Sequence, residues 1–251
     1  MSDSTILAER SLKEALRTPE ALLPTIIIPL FFLVVNVGQA ARIFPTETTA
    51  FLMGQNYAAF QLPSSILLAA SFGTAALYLV EDIEGGYFDK LRASPVSRTA
   101  IVFGRLSAEA VKIAVLTSIM VLVALPFGIH IASGPLGFLL LITLAAGWAV
   151  CFSGFMQLIG MKTRSAAATN SASLIFFPLL FLTPSFVPRP LLTSPMEIAA
   201  TLNPVTYIME GLRSLILEDL AWAKIGKGFA VVAVAGVLMV TLSIRSIRSY
   251  D

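Results

Sequence analysis

From Ile113 to Met161 the chain runs forty-nine residues without one Asp, Glu, Lys or Arg. A soluble domain does not contain such a stretch, because about a quarter of an average soluble chain is charged. A single helix cannot hold it either, since a bilayer core of about 30 Å is crossed by about 20 residues. The natural break is Pro126-Phe-Gly-Ile-His-Ile-Ala-Ser-Gly-Pro135, with turn chemistry at both ends. The rest of the composition agrees: 57% of the 251 residues are hydrophobic, 13% are charged, and the mean hydropathy is +0.85. An ordinary cytosolic enzyme and a disordered chain are both excluded. A net charge of +2 gives no ground for nucleic acid as a partner. Cys151 stands alone, which excludes an internal disulfide and a multi-cysteine metal cluster, and His130 alone leaves few routes to a histidine-based site.

The expected fold is therefore all-α and polytopic, one transmembrane domain over 1–251. Charge-free runs place six membrane-spanning helices at 21–41, 55–80, 108–128, 135–160, 166–187 and 226–245. The first run does not read as a cleaved signal peptide, because it carries Pro24 and Pro29 and no small-residue cleavage site follows it. With the amino terminus inside, twelve of the seventeen Lys and Arg fall in inner segments. The positive-inside rule then puts both termini in the cytoplasm.

Three segments are not simple spans. Ser4–Thr18, closed by Pro19 to give an element over 4–19, mixes Ile6, Leu7, Leu12 and Leu16 with Glu9, Arg10, Lys13, Glu14 and Arg17. It reads either as an amphipathic helix on the inner membrane surface or as a solubilising tail. The stretch 82–97, with Glu81 before it, is the most charged part of the chain. Glu81, Asp82 and Glu84 precede Gly85-Gly86, a tight turn. A short helix follows, with Tyr87, Phe88 and Leu91 on an apolar edge flanked by Asp89, Lys90 and Arg92, and Pro95 ends it. This is either a docking surface with apolar anchors in a polar rim or a solvated loop. The third segment, 190–220, is too polar to span and too apolar for a free loop. Asn203-Pro204 reads as a helix cap and first helical residue. Tyr207 follows, and Glu210 and Arg213 are spaced to pair on one face. A re-entrant outer hairpin and an outer surface helix are the two readings.

No phosphate-binding loop, nucleophile elbow or zinc-helix motif is present. No acid lies in the middle of an expected span, which weakens an ion-coupled carrier; such a rival would use Glu109 or Glu210. Arg105, Glu109 and Lys112 can form an inner charge cluster, read either as a snorkelling network or as a gate or partner contact. Phe31, Phe32, Phe176, Phe177 and Phe181 line a substrate path or face lipid. Gly147 and Gly154 permit close helix packing.

These residues resemble a family. Arg17-Thr18-Pro19, then Asp82-Ile-Glu-Gly85, Phe88-Asp-Lys-Leu-Arg92 and Ser94-Pro95-Val-Ser-Arg98, then Pro178 to Pro184-Ser-Phe-Val-Pro188, Asn203-Pro-Val-Thr-Tyr207 and Glu210-Gly-Leu-Arg213, are similar to the membrane-spanning subunits of type-two ATP-binding-cassette exporters. Among these, the chain resembles the daunorubicin-resistance drug-export permeases of actinobacteria. It departs from that pattern at Arg189-Pro190 to Pro195-Met196. The resemblance implies a permease subunit, not itself an enzyme, in a bacterial inner (plasma) membrane. It further implies pairing with a second permease as homodimer or heterodimer and service by two copies of a separate ATPase subunit that holds ATP and Mg. The Gly85–Pro95 stretch would be the coupling helix. The cargo would be a hydrophobic drug, antibiotic or lipid, with a polysaccharide exporter as the near alternative.

Overall fold

A computed structural model describes residues 3–17, 19–72, 75–93 and 96–248, and every regular element among them is helical. The order is α1 (Asp3–Arg17), α2 (Pro19–Ala40), α3 (Tyr57–Ser71), α4 (Ala75–Glu84), α5 (Tyr87–Ala93), α6 (Arg98–Ala124), α7 (Gly134–Thr163), α8 (Ala166–Ser173), α9 (Phe176–Phe181), α10 (Ser194–Leu202), α11 (Pro204–Leu217) and α12 (Trp222–Arg248). Their ends follow local chemistry. The Asn56 side chain accepts from the Ala59 amide at 3.1 Å, and Ser97 accepts from Ala100 at 3.2 Å, so each caps the helix it precedes. Gly128 (φ +80°) and Gly134 (φ +67°) take the left-handed backbone that separates α6 from α7. The long charge-free run thus divides where its turn residues predict.

Among the described residues five stretches are long and apolar enough to cross a membrane: Leu23–Ala40, Tyr57–Glu84, Thr99–Phe127, Gly134–Thr163 and Trp222–Ile247. The expected fifth of six spans, 166–187, is instead broken into α8 and α9 and stops at Phe181. Pro178 has no amide hydrogen, and its ring crowds the carbonyl four residues back, at Leu174, where the break falls. Ser171 and Ser173 add to it by donating their hydroxyls back to the Ala167 and Asn170 carbonyls. The third span, expected over 108–128, sits in a helix that begins ten residues earlier, because Ser97 caps it, Arg105 finds Asp82 on α4, and Glu109 pairs with Lys112 one turn on.

The core lies around α3 and α7. All but one residue of α3 is buried, and α7 packs against α3, α4, α6, α8, α11 and α12. Small residues bring α7 and α12 together: Gly147 faces Val232, Cys151 faces Gly236, and Gly154 faces Met239. The Ser243 hydroxyl donates to the Gly154 carbonyl at 2.9 Å across the same seam. Where α11 crosses α12, a Cβ on Gly228 would lie 3.2 Å from both the Tyr207 carbonyl oxygen and Leu144. Gly228→Val is therefore expected to destabilise the subunit by about 1–3 kcal/mol through overpacking, read as thermal unfolding in detergent. An unchanged melting temperature would show that the crossing is loose. On the outside, Phe31 and Val34 of α2, Val115 and Leu122 of α6, and Val234 and Val237 of α12 are exposed apolar side chains. Such faces suit lipid or another apolar helix.

Candidate functional site

Two polar clusters stand at opposite ends of the α3–α4 stretch, one around Asp82 and one around Phe60. At the first end, α1 is packed along α6 and is not a detached tail. Its Leu7 joins an apolar cluster with Leu79, Phe88, Leu91, Ile101, Leu106 and Met161. On its polar side Arg10 reaches Asp82 of α4, Nη2 to Oδ1 at 2.9 Å, and its guanidinium lies 4.1 Å from the Tyr87 ring centre. Arg105 of α6 forms an ion pair with the other Asp82 oxygen. One buried carboxylate thus joins α1, α4 and α6 at the start of α5. On the exposed face of α1, the Lys13 ammonium holds the Glu9 carboxyl below the usual carboxylate range through a 2.6 Å hydrogen bond.

The glycine turn forms as expected: the Gly85 amide donates to the Glu81 carbonyl at 2.8 Å and Gly86 has φ +70°. The short helix after it exists, but its expected apolar edge splits: Phe88 and Leu91 face inward and Tyr87 faces out. Phe88 is 1% and Leu91 8% exposed, both in the cluster with Leu7. What faces out is Glu81, Glu84, Tyr87 and Lys90. The Arg92 side chain and Pro95 lie outside the described residues. The charge cluster expected from helical spacing forms in part. Glu109 pairs with Lys112 at 2.7 Å, while Arg105 turns away to Asp82.

At the other end, Asn203 is shared by two helices. Its Oδ1 accepts from the Val205 amide at 3.0 Å, and its Nδ2 donates to the Leu179 carbonyl at 2.6 Å. Pro204 is the first residue of α11, as expected. The Tyr207 hydroxyl donates to the Thr201 carbonyl at 2.8 Å. Glu210 and Arg213 do not pair with each other, contrary to their spacing. Arg189 takes Glu210 in a two-pronged contact, Nε to Oε1 at 3.0 Å and Nη2 to Oε2 at 2.8 Å. Arg213 is 7% exposed and donates to the carbonyls of Phe60 (3.2 Å), Pro184 (2.8 Å) and Ser185 (3.4 Å). Its guanidinium lies 3.6 Å from the Phe60 ring centre. In this pair of helices α10 keeps Ile198 and Leu202 exposed, whereas α11 is buried along nearly all its length.

The five phenylalanines of the expected path separate. Phe176 is buried against Trp148 and Phe152 and serves the core. Phe177 packs edge-on against Phe72. Phe32 meets Phe181 and Phe186 in one aromatic group, and Phe31 points outward at 67% exposure.

Sequence reasoning had not assigned Arg10, Arg189 or Phe60 to a site. Arg189 stood in the stretch that departs from the family pattern, which was the available signal. Arg10 gave none, because its partner is seventy-two residues away.

Comparison with known proteins agrees with this architecture. The sequence profile of the ABC-2 type transporters matches residues 4–217. The daunorubicin resistance ABC transporter permease protein DrrB1 of Streptomyces coeruleorubidus is 23% identical over 238 residues, covering 92% of this chain and 81% of its own. The ycf38 transport permease of Cyanophora paradoxa is 28% identical over 223 residues, covering 84% of this chain and 72% of its own. A helical chain with five apolar stretches of spanning length, matched from α1 to the end of α11, belongs to the ABC-2 type transporter family of membrane permeases.

Proposed function

We propose that this chain is the membrane subunit of an ATP-driven exporter that moves a hydrophobic or amphipathic compound out of a bacterial cell. The family match across α1–α11 carries the reading, and the drug-resistance permease among its relatives supports the cargo class. A separate ATPase subunit, two copies per complex, supplies ATP and Mg. Two permease subunits pair in the inner membrane, with both termini in the cytoplasm, where the Lys and Arg bias favours them. The α10–α11 pair forms the re-entrant hairpin on the far side.

The Asp82 junction supports the coupling role. A force on the exposed rim of Glu84, Tyr87 and Lys90 reaches α4 through the glycine turn, and α1 and α6 through Asp82. The partner's closure shifts the permease only if it binds one permease state better than the other. The ion-coupled alternative is less favoured, because Glu109 and Glu210 are both already ion-paired.

The test is to co-purify the subunit with its ATPase and measure ATP-dependent uptake of lipophilic compounds into inside-out vesicles. Uptake that persists without any ATPase and collapses with the proton gradient would overturn the reading. Glu84→Ala is expected to weaken ATPase binding about tenfold, equivalent to about 1.4 kcal/mol, while membrane insertion is unchanged. Gly85→Pro removes the amide that donates to Glu81 and is expected to lower transport further. Full ATPase retention by both variants would reject the docking assignment.

A further inference from the structure

At the Phe60 end a cavity of about 420 Å³ has an apolar floor of Phe51, Phe60 and Leu217 and three cations, Arg189, Arg213 and Lys224, in its wall. Two of the cations are neutralised on the spot. Arg189 holds both oxygens of Glu210, and Lys224 holds both oxygens of Glu218, at 2.6 and 2.8 Å. Those two carboxylates are the acids that line the cavity. Arg213 is different. It is 93% buried by its 7% exposure, and its contacts are three neutral carbonyls and a ring face; Glu210 acts on it through space, but both oxygens of that carboxylate are held by Arg189. A guanidinium has five N–H donors, and three are engaged here. A buried charge without a counter-ion is costly and is normally matched. The wall therefore carries one positive charge more than its own acids cancel.

We propose that this cavity binds a singly anionic amphiphile, whose carboxylate or phosphate group pairs with Arg213 while its apolar body lies on Phe51, Phe60 and Leu217. The inference rests on the exporter reading only for its biological meaning; the site itself is a matter of charge and shape. The ligand is either a transported compound or an anionic lipid of the surrounding bilayer, which present the same chemistry to Arg213.

The test uses the full chain in phosphatidylcholine nanodiscs, with 11-(dansylamino)undecanoic acid as probe and its methyl ester as the uncharged match. Fluorescence enhancement above that of empty discs reports binding. The acid is expected to bind the wild-type protein about tenfold or more tightly than the ester, as a charge-assisted contact requires. Arg213→Gln is expected to erase the preference. Because a buried arginine can matter for folding, Met53→Glu is the second variant: Met53 is 58% exposed at the cavity lining and would supply a resident carboxylate. It too is expected to bring the ratio near one. Equal binding of acid and ester to the wild type, or a ratio unchanged in both variants, overturns the proposal. Displacement of the acid by phosphatidylglycerol in the disc assigns the site to bilayer lipid; no displacement assigns it to a non-lipid amphiphile. Neither ATPase nor transport enters the measurement, so its failure leaves the exporter reading standing. A confirmed site without ATP-driven transport would overturn only that reading.

Discussion

Asp82→Asn is expected to destabilise the subunit by about 3–5 kcal/mol, the usual effect of removing one partner from a buried ion pair. Asparagine keeps the shape of the side chain, so packing is preserved and only the charge is lost. The loss falls mainly on Arg105, whose side chain is 5% exposed and has no water to fall back on. Arg10 is one-third exposed and regains solvent when its partner goes. Arg10→Gln should therefore cost about 1 kcal/mol or less. Both changes are read as unfolding in detergent, by heat or by a denaturing surfactant. The double variant Asp82→Asn/Arg105→Gln is expected to recover much of the single loss, because two neutral groups replace an orphaned charge. If Asp82→Asn and Arg10→Gln cost the same, or the double variant is worse than the sum, Asp82 is not the shared anion of this junction.

The same junction explains what the sequence could and could not reveal. Runs free of charge located α2, α7 and α12 well, since a long apolar stretch has few other fates. That rule stopped short on α4 and α6, which carry Asp82, Arg105 and Glu109 near the α5 end of the bundle. Asp82 and Arg105 lie inside long helices because they neutralise one another across the fold, and Glu109 because Lys112 neutralises it one turn on, whereas a count along the chain treats each as unpaired. Helical spacing held for Glu109 and Lys112 but failed elsewhere, where a neighbouring element offered a partner. It joined Arg105 to Glu109 and Glu210 to Arg213, but Arg105 found Asp82 and Glu210 found Arg189. Spacing says which groups can meet on one helix, not which partner a neighbouring helix offers. The amphipathic edge of α5 was legible as an edge, yet its direction was not: Phe88 and Leu91 cover Leu79 and Leu106. The break at Leu174 could have been read from Pro178. However, Pro24 and Pro29 sit inside α2 without ending it, so proline alone did not decide. The neighbouring serines, which bond back to the chain, were the additional signal.

Asn203→Ala is expected to cost about 2–4 kcal/mol and to reduce export while ATPase binding is retained. Two separable losses make up that figure. The first is the cap on α11, the Oδ1 contact to the Val205 amide, at about 1 kcal/mol. The second is the Nδ2 contact to Leu179, whose carbonyl is left without this donor in a partly buried site, at about 1–3 kcal/mol. Asn203→Ser separates them. A serine hydroxyl caps the helix but is too short to reach α9, so only the second loss should remain. The functional consequence follows from what α11 carries. Glu210 and Arg213 lie two and three turns beyond the cap, and their contacts to Arg189 and to the carbonyls of Pro184 and Ser185 hold the 182–191 stretch against α11. Releasing the start of α11 from α9 loosens all of these at the end of the bundle opposite the Asp82 junction. Thermal unfolding and vesicle uptake, measured together on the alanine and serine variants, decide the matter. A serine variant as damaged as the alanine one would remove the cap from the argument. Loss of the ATPase from either would show that the two ends of the bundle are not independent.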